Sequence, residues 1–226
     1  MCPQGPYCGS KIFMNFHCCS LRRASISSNS LFMRSSTGCT PLGARSLIKS
    51  ISTLAIFLGS GFRKYNDLTT ETPIVIATLA HHHPTKGTVE AIRALEIIKK
   101  KYLNKVSIVA VGEWPDFAKI KPAWMTYYFS PNRAKMAEIL NQTDIWVSAS
   151  HTEGLGRLAL EAMSSGCATV LSDTSAEFAK DGVNCFVFEN KDINSQVVAI
   201  DKLISDNNTR ANIAIEGYKT AQSLAD

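Results

Sequence analysis

The arrangement of apolar residues after position 72 is the feature that most constrains the fold. Short, nearly continuous apolar runs alternate with longer stretches in which apolar residues recur every three to four positions, as in amphipathic helices. The predicted strands are 73–78, 106–111, 126–129, 144–149, 168–171 and 184–188, and the predicted helices are 87–102, 132–141, 155–165, 192–204 and 209–224. This alternation predicts an α/β fold, with a Rossmann-like doubly wound parallel sheet of about six strands and helices on both faces.

The charges divide the 226-residue chain into two parts. The 24 lysines and arginines exceed the 19 aspartates and glutamates, which gives a net charge of +5. The first 66 residues hold eight of the basic residues and no acidic one, so the remainder has a net charge of −3. A near-neutral second part argues against a nucleic-acid partner. We predict a poorly ordered basic extension over 1–66 and one folded domain over 67–226.

The extension over 1–66 permits several interpretations. It holds five of the seven cysteines, as a disulfide-rich module would, but their spacing does not match a zinc site. Its serines and arginines resemble an organelle transit segment, and the alternative is a poorly ordered or non-native sequence. The turn Gly59-Ser60-Gly61 is either a dinucleotide-binding loop or a linker turn, because Lys64 replaces the third glycine. The apolar run before it, 54–58, is too short to span a bilayer.

Unusual polar residues follow three of the predicted strands. Parallel sheets bind ligands in the crevice at the carboxyl ends of their strands, so these loops are where we expect a binding site. The loops are 79–87, 112–116 and 150–156, and the last one opens a helix that carries Glu161.

The glycines of the third loop favour an anion-binding site. Gly154 and Gly156 flank a predicted helix start, where free backbone N–H groups and the positive end of the helix dipole can bind a diphosphate. Glu153 lies at the rim of the crevice, and the Glu161 carboxylate can accept hydrogen bonds from two vicinal sugar hydroxyls. The alternative is that both glutamates are ordinary helix residues, although the apolar neighbours of Glu161 define no clear solvated face.

The stretch from Glu153 to Glu161 resembles the Glu-x7-Glu signature of the family 4 retaining glycosyltransferases. Other landmarks that look like those of the family follow the same order along the chain, and together they cover roughly 72–206. They are Lys86-Gly87, Val111-Gly112, the strand and loop 144–150, Ser172-Asp173, and the loop 181–184. The resemblance implies the donor-binding, C-terminal half of a GT-B fold, in which two Rossmann-like domains face each other across a cleft.

The resemblance also implies roles for individual residues. Lys86 would neutralise the diphosphate leaving group, Glu153 would face the hydroxyls of the transferred sugar, and Glu161 would hydrogen-bond the donor ribose. The backbone N–H groups of Gly154, Leu155 and Gly156 would approach the sugar and the diphosphate. The loop 129–132 would recognise the base through its backbone. We expect no metal, because a fixed cation and a helix dipole can stabilise the departing phosphate.

One position departs from the family pattern. The family usually has an arginine five residues before the lysine, and here that position is His81. A neutral imidazole supplies less charge and no bidentate fork, so Arg157 is a candidate for the missing charge. The three histidines at 81–83 could instead suggest a metal site, but consecutive residues of a turn cannot all converge on one ion.

The length of the chain leaves no room for the acceptor-binding half of such an enzyme. The leading hypothesis is a glycosyltransferase that takes a nucleotide-diphosphate sugar and transfers the sugar to a glycan or lipid acceptor, with a partner chain supplying the acceptor domain. The alternatives are a non-catalytic nucleotide-sugar-binding subunit and a truncated, inactive fragment. We expect a cytoplasmic location, with peripheral membrane association at most.

Overall fold

The structure is a computed structural model, and it describes residues 71–225. The predicted extension over 1–66, with its five cysteines and the turn Gly59-Ser60-Gly61, lies outside the described residues, as does the boundary at position 67.

All the predicted strands and helices are present, which confirms the α/β prediction. The strands are β1 Ile74–Leu79, β2 Val106–Gly112, β3 Met125–Phe129, β4 Ile145–Ser148, β5 Ala168–Ser172 and β6 Phe186–Phe188. The helices are α1 Thr88–Tyr102, α2 Phe117–Ile120, α3 Arg133–Gln142, α4 Arg157–Ser164, α5 Ile193–Ser205 and α6 Asn207–Ser223, with 3₁₀ turns at Pro84–Lys86 and Leu103–Lys105. Helix α2 was not predicted, because its four residues are too few to show a helical period.

The strands form one parallel sheet in the order β3-β2-β1-β4-β5-β6. The chain first builds outward from β1 through β2 to β3, then returns to the other side of β1 to add β4. Strands β1 and β4 therefore flank the point where the winding reverses. The loops after these two strands diverge there, and the crevice between them is the expected ligand site of such a sheet.

Alternate residues of the strands point to opposite faces, and each face packs against helices. Ile76 belongs to a core with residues of α1, α5 and α6, whereas the next residue, Ala77, belongs to a second core with residues of α3 and α4. Burial on both faces explains why the strands are almost continuously apolar.

The largest boundary differences arise at loops and caps. Helix α4 begins at Arg157 rather than at 155, because Gly156 takes a left-handed conformation and acts as the N-cap. Helix α6 begins at Asn207 rather than at 209, because the Asp206 side chain accepts hydrogen bonds from the backbone of Asn208 and Thr209. Strand β6 begins at Phe186 rather than at 184, since the Asn184 side chain bonds the backbone of Phe178 and Lys180.

Candidate active site

A cleft of about 400 Å³ opens at the carboxyl ends of β1, β2 and β4 and at the start of α4. Its volume lies in the range of small-molecule sites. Six of the predicted site residues line it, and they are His81, Lys86, Glu153, Gly156, Arg157 and Glu161. Residues from two distant parts of the sequence therefore share one cleft at the reversal point of the sheet.

Lys86 and Glu153 contact each other directly in this cleft. The Lys86 ammonium donates to both carboxylate oxygens of Glu153, at 3.1 Å and 2.9 Å. The two side chains are only 27% and 24% exposed, so water screens this pair less than an ordinary surface ion pair. In the ligand-free site the cation and the carboxylate thus neutralise each other.

The close approach of the two loops depends on backbone contacts that side chains would obstruct. The N–H of His151 donates to the carbonyl of Thr85, at 2.7 Å. Gly87 has φ +62°, and a Cβ atom at this position would lie 1.9 Å from the carbonyl oxygen of Ala149. Lys86 reaches Glu153 because this glycine lets one loop pack against the other.

His81 is fixed by its neighbours in the loop after β1. Its N–H donates to the Thr88 hydroxyl and its carbonyl accepts from the same hydroxyl. Its Nδ1 atom accepts the backbone N–H of His83 at 3.0 Å, so the proton of the neutral ring is on Nε2. Burial, followed by the charges of His82 and Lys86, lowers the pKa of His81. His81 is therefore a neutral hydrogen-bond donor at neutral pH.

The N-terminus of α4 borders the same cleft. No side chain caps this terminus and no acidic residue lies in its first turn. Gly156 and Arg157 line the cleft at this end, so the positive end of the helix dipole and a guanidinium are both present there. The arrangement suits a ligand that carries several negative charges.

Glu161 is a partly buried carboxylate that no side chain in the described residues satisfies. It lies in the second turn of α4 and lines the cleft, and its carboxylate makes no hydrogen bond or ion pair within 71–225. Burial raises the pKa of Glu161, although the charges of Arg157 and Arg133 oppose the shift. Burial disfavours the charged form of this carboxylate, and its oxygens are available to a ligand hydroxyl.

Replacing Glu161 by glutamine should stabilise the ligand-free protein. Because the native pKa is raised, stability falls as pH rises through the unfolded and then the native pKa, and the penalty is complete at neutral pH. Thermal unfolding should show a higher Tm for Glu161→Gln at pH 7.5 and a smaller difference near pH 4. Glu138→Gln is the control at an exposed glutamate; it loses only a surface ion pair with Lys135, so it should change the Tm far less at either pH. An unchanged Tm at pH 7.5 would contradict the burial argument.

Two of the predicted residues lie beside the cleft rather than in it. Gly154 and Leu155 line an adjoining open groove, and Glu153 borders both spaces. In the predicted base-recognition loop 129–132, Ser130 and Pro131 line the cleft, whereas the Asn132 side chain caps α3. Ser130 has φ +43°, a backbone conformation that is uncommon outside glycine.

Three residues with roles at the cleft were not predicted individually. Glu113 and the buried Trp146 line it, and His151 connects its loops. The signal for Glu113 was its position directly after the second predicted strand. His151 lies in the polar loop after the fourth predicted strand, so it carried the same signal as Glu113. Trp146 lies inside a strand and carried no signal that sequence reasoning could use.

The model of the family described as glycosyl transferases group 1 matches residues 64–220. A poly(glycerol-phosphate) alpha-glucosyltransferase of Bacillus subtilis (strain 168) is 28% identical over 162 residues, which are 67% of this chain and 23% of that protein. The chain thus spans about a quarter of the length of this relative.

Solved structures share the fold. The C-terminal domain of a glycosyl transferase group 1 family protein from Francisella tularensis is 27% identical, with a TM-score of 0.62 over 75% of this chain and 96% of that domain. Anabaena HepE, solved with UDP-glucose, is 20% identical, with a TM-score of 0.59 over 79% of this chain and 49% of HepE. The described part of the chain corresponds to one domain of these proteins.

Two kinds of feature are absent from the described residues. None of the helices between 71 and 225 is long and apolar enough to cross a membrane. Within the same range, His, Cys, Asp and Glu side chains form no group of three or more that could hold a metal ion.

Proposed function

We propose, from the premise that this chain belongs to the glycosyl transferases group 1 family, that its cleft binds a nucleotide-diphosphate sugar for transfer with retention of configuration. One observation carries the proposal. Lys86, which is 67 positions from Glu153 in sequence, lines a single cleft together with Glu153 and Glu161 at the start of α4. A cation, two carboxylates and free backbone donors are the groups that a diphosphate and a polyhydroxylated sugar require.

In this proposal the diphosphate lies against Lys86, His81 and the start of α4. Glycosyl transfer builds negative charge on the departing phosphate, and fixed donors aimed at that charge lower the barrier. Lys86 and Arg157 contribute charge, and the Nε2–H of His81 contributes a neutral hydrogen bond in place of the usual arginine. Because these groups supply positive charge, the proposal requires no metal.

The two glutamates bind the hydroxyl groups of the donor, Glu161 those of the ribose and Glu153 those of the transferred sugar. Glu161 accepts hydrogen bonds from the ribose hydroxyls, for which its carboxylate is available because it has no partner within residues 71–225. Glu153 faces the hydroxyls of the transferred sugar. Since Lys86 and Glu153 are paired in the ligand-free site, the arriving diphosphate must draw the ammonium away and leave Glu153 free for the sugar.

Loop 129–132 and the open groove lined by Gly154 and Leu155 complete the proposed donor site. In loop 129–132, Ser130 and Pro131 line the cleft and would contact the base. Gly154 and Leu155 offer backbone groups on the rim, beside the position proposed for the sugar. UDP-glucose is the first donor to test, because HepE was solved with it and the Bacillus relative is named an alpha-glucosyltransferase.

We further propose that the acceptor, a glycan or lipid, binds across the cleft on a partner chain that supplies the acceptor domain. The described domain corresponds to one domain of its structural relatives, which supports a second half elsewhere. We propose a cytoplasmic location with peripheral membrane association at most.

Thermal unfolding with nucleotides tests the proposal. UDP-glucose at about 100 times its Kd should raise the Tm of the protein by roughly 5–10 °C, because ligand binding adds about 2.7 kcal/mol to stability. EDTA should leave the shift unchanged. Sugar transfer to acceptor preparations, assayed in parallel, separates a transferase from a subunit that only binds the donor. Cooperative unfolding that UDP-, GDP- and ADP-glucose all leave unmoved would overturn the proposal and favour an inactive fragment.

A further inference from the structure

His151 occupies a central position between the loops of the cleft, although none of the roles proposed above uses its side chain. It lies two residues before Glu153, and its backbone N–H donates to Thr85, the neighbour of Lys86. The side chain is only 15% exposed. The residue is therefore adjacent in sequence or in space to both members of the Lys86–Glu153 pair.

The hydrogen bond of the imidazole to Asn190 shows which ring nitrogen carries the proton. Its Nδ1 atom lies 2.7 Å from Oδ1 of Asn190, and the amide nitrogen of Asn190 donates to the His151 carbonyl at 3.4 Å. An amide oxygen can only accept, so Nδ1 carries a proton and donates it. The other ring nitrogen, Nε2, then faces the Glu90 carboxylate at 3.7 Å.

The hydrogen bonds around this ring join three segments that each follow a different strand. His151 lies after β4, and its ring bonds Asn190, which follows β6. The N–H of Asn190 donates to the carboxylate of Asp173, which follows β5. The ring of His151 therefore anchors the loop of Glu153 to the segments after β5 and β6, and Glu90 in the first turn of α1 lies near the ring without a hydrogen bond to it.

We propose that His151 is a positioning residue, whose ring anchors the loop of Glu153 to Asn190 and so keeps Glu153 opposite Lys86, where donor diphosphate and sugar are bound together. The inference rests on the proposed function, because the ligand groups assigned to Lys86 and Glu153 come from it. The backbone bond to Thr85 does not involve the ring, so substitution of the side chain tests the anchor to Asn190 separately from the packing of the two loops.

Two ligands distinguish positioning from a structural role. UDP-glucose engages both Lys86 and Glu153, whereas UMP keeps the base, the ribose and one phosphate but lacks the β-phosphate and the glucose that Glu153 would face. His151→Ala should raise the Kd for UDP-glucose about 10-fold and change that for UMP less than about 2-fold. His151→Asn places an amide donor where Nδ1 was, keeps the bond to Asn190, and should restore UDP-glucose affinity to within about 3-fold.

Amide hydrogen exchange on the ligand-free chain tests the same inference without nucleotide. His151→Ala should increase exchange in 80–87 and 150–156, and His151→Asn should return it to the wild-type level. Equal losses of UMP and UDP-glucose affinity, unchanged UDP-glucose affinity in His151→Ala, or no recovery in His151→Asn would overturn the positioning role. If the wild type binds neither nucleotide, the proposed function fails. The positioning role is then tested by hydrogen exchange alone, and unchanged amide exchange in His151→Ala would overturn it.

Discussion

Replacing Lys86 by alanine should raise the Kd for UDP at least about 10-fold and slow sugar transfer by roughly 10²–10³-fold. The substitution removes the fixed cation proposed for the diphosphate. It also leaves the Glu153 carboxylate unpaired in the cleft, where it repels the phosphates. Calorimetric titration with UDP, together with initial rates of transfer, measures both effects.

Glu153→Gln provides the sharpest comparison for this prediction. Without its ion pair, Lys86 is free for the diphosphate, so the variant should bind UDP more tightly than the wild type while it binds UDP-glucose more weakly. The double variant Lys86→Ala/Glu153→Gln should bind UDP better than Lys86→Ala alone, because the repulsion is gone. Equal UDP affinities in the two lysine variants would show that the pair does not act at the phosphate site.

Replacing Gly87 by alanine should destabilise the protein by more than about 3 kcal/mol and lower its Tm by roughly 10 °C. The new methyl group would lie 1.9 Å from the Ala149 carbonyl oxygen, and the left-handed backbone at φ +62° is itself unfavourable for alanine. The loops would have to separate, so Lys86 would also lose its contact with Glu153. Thermal and urea-induced unfolding measure the change.

Two other glycines distinguish the effect of the steric clash from the effect of the left-handed backbone. Gly182 has φ +68°, but a Cβ atom added there would meet nothing within 4 Å, so Gly182→Ala should cost only about 1 kcal/mol. Gly154 has neither the left-handed backbone nor a neighbour within 4 Å, and Gly154→Ala should leave stability nearly unchanged. If Gly87→Ala cost no more than Gly182→Ala, the tight packing of the two loops would be refuted.

The strands and long helices of this chain were predictable because burial imposes a periodic pattern on local sequence. A strand covered on both faces, such as β1 or β2, must be apolar at nearly every position, and a helix such as α1 must be apolar on one side. Very short helices, and helix ends that depend on a capping side chain, were harder to predict from the sequence. Helix α2 has no period to detect, and the start of α6 depends on one aspartate side chain.

Some residues of the candidate site were likewise predictable from the sequence, and others were not. Lys86, Glu153 and Glu161 were identified from their positions after predicted strands and from a family motif, and the structure places all three along one cleft. Their individual roles stay predictions. His151 was missed because its partners, Glu90 and Asn190, are distant in sequence and nothing local marks them as neighbours.

By itself the sequence determined the class of fold, the order of its elements and the loops that would hold a binding site, because these follow from local periodicity and from the geometry of parallel sheets. Only the tertiary structure decided that Lys86 and Glu153 pair, and that the Glu161 carboxylate is partly buried with no hydrogen-bond or ion-pair partner among residues 71–225. Those properties depend on distance and desolvation. Distance and desolvation are both set by the packing of residues that are far apart in sequence, such as Lys86 and Glu153, which are 67 positions apart. No local sequence pattern encodes such packing.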